Sequence, residues 1–275
     1  MTFLRQMVLF SLFLMLATAG CGANRPVKET TLTDKMISSL AAFERDMALG
    51  RYQLALADAR KAVDISRVLD RDEETALTLN NLGTVQQRIG MVEAAAGSYG
   101  ESVALSKKTG SDRILAASLN NLAGIVVVDD PDKARVLALE AYELGRSRSW
   151  QRVMARALHT RARADLQEGA LDDGREWCGR ALDLANRANE KSTVAAVKVT
   201  LARIESIAGN DAVAIRLVQE ALAIDRELAD PYAIAMDYMR LAEIQTRAGD
   251  ETGAETSREK ARRILDILGI GGEKD

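Results

Sequence analysis

The chain has 275 residues, of which 47% are hydrophobic, 28% are charged, only 4% are aromatic and three are proline. That is enough apolar material for a substantial core, in an Ala- and Leu-rich mixture that favours helix over strand. The formal charge of −3 arises from interspersed acids and bases, which argues against the basic stripe of a nucleic-acid binder.

In chain order, residues 1–21 differ from everything after them. Arg5 gives a positive start, Met7 to Ala19 is nearly continuous apolar sequence, and Thr18-Ala19-Gly20-Cys21 closes it with small residues. So short an apolar run does not comfortably cross a hydrocarbon core of about 30 Å, so the pattern predicts a cleaved export signal. Its ending resembles the bacterial lipobox, with Thr18 where that motif usually has Leu. The resemblance implies that Cys21 is acylated, palmitate included, and becomes the first residue of the mature protein. Gly22 rather than Asp follows it, which implies the periplasmic face of the outer membrane. An ordinary secretory signal is the alternative. Gly22 to Thr33, with Pro26, reads as a polar linker between anchor and domain. Cys178 is the one other cysteine, so no intramolecular disulfide is expected in the mature chain. It falls on a helical apolar stripe and is expected to be a buried, inert thiol.

From Met36 onward the chain repeats itself. Gly50, Gly90, Gly169, Gly209 and Gly249 are separated by 40, 79, 40 and 40 residues, the long gap being two periods with a glycine missing near Asp129-Asp130. A 40-residue period predicts a stacked supersecondary unit of helix, glycine turn, second helix and loop. First helices are predicted near 36–49, 75–89, 114–127, 153–168, 193–208 and 233–248. Second helices are predicted near 52–68, 92–108, 132–148, 172–188, 212–228 and 252–268. Each glycine suits a helix C-terminus that needs a left-handed residue. Aligned columns support the stack: Ala76, Ala116, Ala155, Ala195 and Ala235, then Gly83, Ala123, Ala162, Ala202 and Ala242 seven residues on. The second helices carry a small column from Ala62 to Ala261 and, three residues further, a large one from Ile65 to Ile264. Small against large at fixed registers is what interlocking helix pairs need.

These columns, the turn glycine and an alanine five residues after it (Ala55, Ala95, Ala214, Ala254) resemble the tetratricopeptide repeat. The 40-residue length, with Leu79-Asn80-Asn81-Leu82-Gly83 and Leu119-Asn120-Asn121-Leu122-Ala123, resembles its longer kinesin-light-chain-like form. The resemblance implies an all-α, right-handed solenoid over residues 34–270, with six repeats near 36–74, 75–113, 114–152, 153–192, 193–232 and 233–268, and a tail at 271–275. The third repeat departs from the pattern, with Val126-Val127-Val128-Asp129-Asp130-Pro131 in place of a glycine turn. Arg258 and Arg262 stand in columns that are apolar elsewhere, as expected of a terminal cap.

No catalytic constellation emerges. His159 is the only histidine, so no His/Cys zinc site can form, and the glycines sit at helix ends rather than in a phosphate loop. Asp129, Asp130 and Asp132 suggest calcium less than a helix start, with Asp130 as N-cap before Pro131. The reading is a protein that is not an enzyme and takes neither cofactor nor metal. The family's first helices line a concave groove for a peptide or helix, which implies a site at Asn80, Asn81, Thr84, Asn120, Asn121, Arg156, His159, Arg163, Arg203, Arg240 and Arg247. Guanidinium forks in such a groove favour carboxylates. The alternatives are that the asparagines bond neighbouring helices and that the arginines pair with Glu205 or Glu243. Partners are expected to be envelope proteins, with the membrane reached through the lipid. Family members of this design help to assemble outer-membrane secretins or other envelope complexes. Self-association into a homo-oligomer, or allosteric control of a cell-wall enzyme, stand beside that role.

Overall fold

The computed structural model describes residues 27–270, so the readings of 1–21 as a signal, of Cys21 as the acylated residue and of 271–275 as a tail lie outside it. The described residues form twelve α-helices and no strand. They pair as α1 (Val27–Ala48) with α2 (Tyr52–Val68), α3 (Asp72–Arg88) with α4 (Val92–Thr109), and α5 (Asp112–Val126) with α6 (Pro131–Ser147). Then follow α7 (Gln151–Gln167) with α8 (Leu171–Arg187), α9 (Lys191–Ile207) with α10 (Asp211–Glu227), and α11 (Pro231–Arg247) with α12 (Glu251–Ile267). Part of the expected linker is therefore helical. From Val27 to Thr33 no glycine or proline interrupts the chain, and α1 runs straight through. Among the described residues no helix is long and apolar enough to cross a membrane.

The first helices begin about two residues earlier than the sequence pattern suggested, and the reason lies in the turns. All five repeat glycines are left-handed, with φ between 68° and 85°. The turns between repeats use the same conformation, mostly without glycine: Asp70, Gly110, Ser149, Asn189 and Ala229 have φ between 51° and 71°. The next backbone N–H then reaches back across the helix end, as from Arg51 to the Asp46 carbonyl at 2.8 Å and from Arg71 to that of Ser66 at 3.1 Å. This closure satisfies carbonyls that a helix end would otherwise leave open. The geometric period is thus 20 residues, and glycine marks every second turn with few departures, Gly110 among them. The third repeat is the exception. Asp130 N–H bonds the Val126 carbonyl at 2.8 Å, no left-handed residue intervenes, and α5 is two residues shorter than its counterparts α3 and α7. Asp130 caps α6 by accepting from Lys133 N–H at 2.9 Å, as its place before Pro131 predicts.

Burial follows the columns. The small first-helix columns and the Ala62-to-Ala261 column are at most 1% exposed wherever they are alanine. At Gly83 a Cβ would come within 2.7 Å of the Tyr99 ring, so the one glycine in its column is what admits the largest fully buried side chain. Cys178 is fully buried, and burial pushes its thiol up to about 12, in line with an inert packing role. The large Ile65-to-Ile264 column is only half-buried apart from Ile65.

The stack bends far enough for its ends to meet. The Arg88 guanidinium donates to both carboxylate oxygens of Asp230 at 3.2 and 3.0 Å and lies 4.7 Å from the centre of the Tyr232 ring. Tyr232 in turn meets Tyr52 edge-on at 6.4 Å. Tyr232, Leu268 and Ile270 pack against the first core cluster, around Phe43 and Tyr52. Arg258 and Arg262 pair with Glu255 and Glu259 on their own helix and keep the outer face of α12 polar.

Candidate binding groove

Successive first helices pack on one another, α3 on α5, α5 on α7, α7 on α9 and α9 on α11, whereas successive second helices do not pack comparably. The first helices therefore take the inside of the bend, and their free faces form the concave surface. On α7, Arg152, Arg156, His159 and Arg163 recur at helical spacing and fall on that face. Together with Asn120, Asn121, Gln87, Thr193 and Glu190 they line a cavity of about 410 Å³.

Polar side chains cross-link the helices beneath this surface. Asn80 Oδ1 accepts from Asn121 Nδ2 at 2.9 Å and from the Ser118 hydroxyl at 3.2 Å, and Asn121 Oδ1 accepts from Arg156 Nη2 at 2.6 Å. Asn80 and Asn121 thus tie α3, α5 and α7 together, and Asn121 also faces the cavity. Asn120 is buried and donates to the Val153 carbonyl at 3.3 Å, its Oδ1 having no partner. Thr84 bonds its own helix, to the Asn80 carbonyl, and accepts from the Tyr99 hydroxyl at 3.2 Å. Asn81 is half-buried, and neither it nor Thr84 lines the large cavity. Asn80 and Asn121 therefore act first as a helix-to-helix brace.

The cationic residues differ. Arg163 and Arg203 make no ion pair with any described residue. Glu205, expected as a neutralising neighbour, is taken by Arg175 at 2.8 Å, and Glu243 pairs with Arg240 alone. Arg163 is lowered to about 10, first by burial and then by Arg203 and Arg240. Arg203 is lowered by burial and by Arg240, and Arg156 chiefly by burial. His159 shares a 2.8 Å hydrogen bond with the Thr200 hydroxyl; burial, then Arg163 and Arg156, push it down to about 3, so it is neutral at ordinary pH. Arg203, Arg240 and Arg247 line a smaller cavity of about 140 Å³ further along the same face. Sequence reading missed Arg152, Gln87, Glu190 and Thr193. Arg152 lies one turn before Arg156 and was legible from spacing, but its ion pair with Glu190, the residue just before the next first helix, was not. The arrangement holds anionic groups well. Among the described residues no group of three His, Cys, Asp or Glu could hold a metal ion.

Residues 35–108 match the tetratricopeptide repeat family. No match is found among curated proteins. Among solved structures, the chain is similar to BtubC (BKLC) from P. vanneervenii, at 19% identity and a TM-score of 0.52, covering 85% of this chain and 94% of that one. It is similar to the apo form of RapI at 14% identity and a TM-score of 0.69, covering 85% of each. It is also similar to the Rap conjugation regulator of plasmid pLS20 in complex with the Phr* peptide, at 13% identity and a TM-score of 0.65, covering 94% of this chain and 82% of that one. At these identities the likeness is one of fold.

Proposed function

We propose that this helical solenoid, whose residues 35–108 match the tetratricopeptide repeat family, is a protein-interaction scaffold and that its concave face receives an acidic, extended segment of a partner protein. The observation that carries this reading is Arg163, a half-buried guanidinium in the lining of the larger cavity that makes no ion pair with any described residue. A charge partly withdrawn from water is costly unless it is paired, so such a group is held ready for an anion. Arg156, anchored through Asn121 and Asn80, is fixed in place by the brace beneath it. Neutral His159 adds a hydrogen-bonding group to the cavity without a charge. The similar Rap structure in complex with the Phr* peptide offers a precedent for a peptide on this fold.

The partner we propose is a protein of the bacterial envelope, in the manner of an assembly helper, because residues 1–21 carry the export and lipobox pattern. Cys21 would anchor the chain by lipid, each buried methylene contributing about 0.8 kcal/mol. Metabolic palmitate labelling that is lost in Cys21→Ser supports the anchor; labelling that persists in the variant sinks it. The groove itself is tested by fluorescence anisotropy with a labelled Glu-rich peptide and a Lys-rich control. Saturable binding of the acidic peptide, weakened about tenfold in Arg163→Ala, is the expected result. Equal binding of both peptides, or no effect of the substitution, moves the interaction to another face.

A further inference from the structure

We propose that the smaller cavity, where Arg203, Arg240 and Arg247 meet, is a separate site for a compact dianion, an oxyanion of the phosphate type. The cavity holds about 140 Å³, a volume suited to a small anion rather than to a peptide. Its lining carries three guanidinium groups against the single carboxylate of Glu243, a surplus of two positive charges. Arg240 spends one terminal nitrogen on Glu243, yet its Nε is buried and has no acceptor. Arg203 has no ion pair among the described residues. Ser206, in the same lining, donates to Asp211 at 3.0 Å and does not count among the free donors.

The chemistry follows from shape and charge. A planar carboxylate matches one guanidinium fork, whereas a tetrahedral oxyanion offers acceptors in several directions and can meet more than one. Glu243 is 57% exposed, so an arriving dianion can displace it into water at little cost. Arginine does not discharge in proteins, so the surplus persists at any working pH. This site is distinct from the larger cavity around Asn121 and Arg156 and does not depend on its peptide. Free phosphate and a phosphoryl group on a partner share the chemistry it recognises.

The test is thermal melting and titration calorimetry of the purified full chain with inorganic phosphate at about pH 8, at constant ionic strength, with acetate as control. A saturable single-site phosphate effect is expected, with acetate inert. Arg203→Gln and Arg240→Gln should weaken it at least tenfold, yet leave the ligand-free melting temperature equal or higher, because they relieve like-charge repulsion. Arg156→Ala should leave phosphate binding within about twofold, which separates failure of this site from failure of the peptide groove. A phosphoserine peptide that binds tighter than free phosphate would assign the ligand to a partner protein, and equal affinity would assign it to the free anion. Acetate acting as well as phosphate, or a phosphate effect unchanged in both glutamine variants, overturns the proposal.

Discussion

Helix α11 takes part in two clusters of like charge, one buried and one half-buried. On one side Asp237 faces Asp225 of α10, the two carboxyl groups being 4% and 6% exposed and hydrogen-bonded to each other. On the other side Arg240 stands near Arg203 of α9 and Arg163 of α7. The acids resolve their conflict internally. Burial, then Asp230, push Asp225 up to about 6 against the hydrogen bond with Asp237 and the charge of Arg88, while burial, then Asp225 and Asp230, push Asp237 up to about 8, and a retained proton removes one charge. The bases have no such exit, because a guanidinium keeps its proton at any working pH. A buried acid pair is therefore complete as it stands, while a half-buried arginine cluster at an open groove is complementary to an anion.

The sharpest way to break this comparison is a pH series. A carboxyl whose folded pKa is raised contributes stability that is fully present below its unfolded value, about 4, and is lost as pH rises through the raised value. Unfolding free energy should therefore fall between pH 5 and 9 by roughly 3 kcal/mol. Asp237→Asn should flatten that slope in chemical denaturation. A variant curve as steep as that of the wild type would place the cause elsewhere.

Next in size is Arg163→Ala on the basic side. Binding of an acidic peptide should weaken about tenfold, near 1.4 kcal/mol, while unfolding without ligand changes by less than about 0.5 kcal/mol. Marked destabilisation of the free protein would make Arg163 a structural residue instead.

His159 supplies the opposite arm of the pH profile. Its folded pKa is depressed from the ordinary value to about 3, so its contribution is present above about 6.5 and is lost as pH falls. His159→Gln should reduce the loss of stability between pH 7 and 5 by about 1 kcal/mol. A slope unaffected by the substitution would mean that water reaches the ring more freely than its packing against Thr200 indicates.

The smallest effect is expected at the meeting of the two ends. Arg88 and Asp230 are each about 30% exposed, so Arg88→Ala should cost only about 0.5–1 kcal/mol. The variant should also steepen the alkaline loss, because Arg88 opposes the upward push on Asp225. Small-angle scattering distinguishes a clasp from a passive contact, since only a clasp predicts a larger radius of gyration in Arg88→Ala.

The repeat was legible because stacking repeats the same packing problem. Each helix pair must present a small face at a fixed register, so Ala76, Ala116 and Ala155 recur where backbones approach. The turns were half legible. Glycine flags a left-handed residue, but Asp70, Ser149, Asn189 and Ala229 adopt the same conformation without it, so the 20-residue period was hidden behind one of 40. The groove arginines were legible as residues on one face. Their lack of partners was not, because Arg175 claims Glu205 from across a helix packing that no spacing encodes.

Local chemistry, readable along the chain, thus determined the helices, their number and their inward faces, since each depends on residues within a turn or one period of each other. The bend that brings Asp230 to Arg88, 142 residues away, was decided only in three dimensions. So were the shared proton expected of Asp225 and Asp237 and the unpaired charge of Arg163. Small angles between successive helix pairs accumulate over six repeats, and charge pairing depends on distances that this accumulation alone sets.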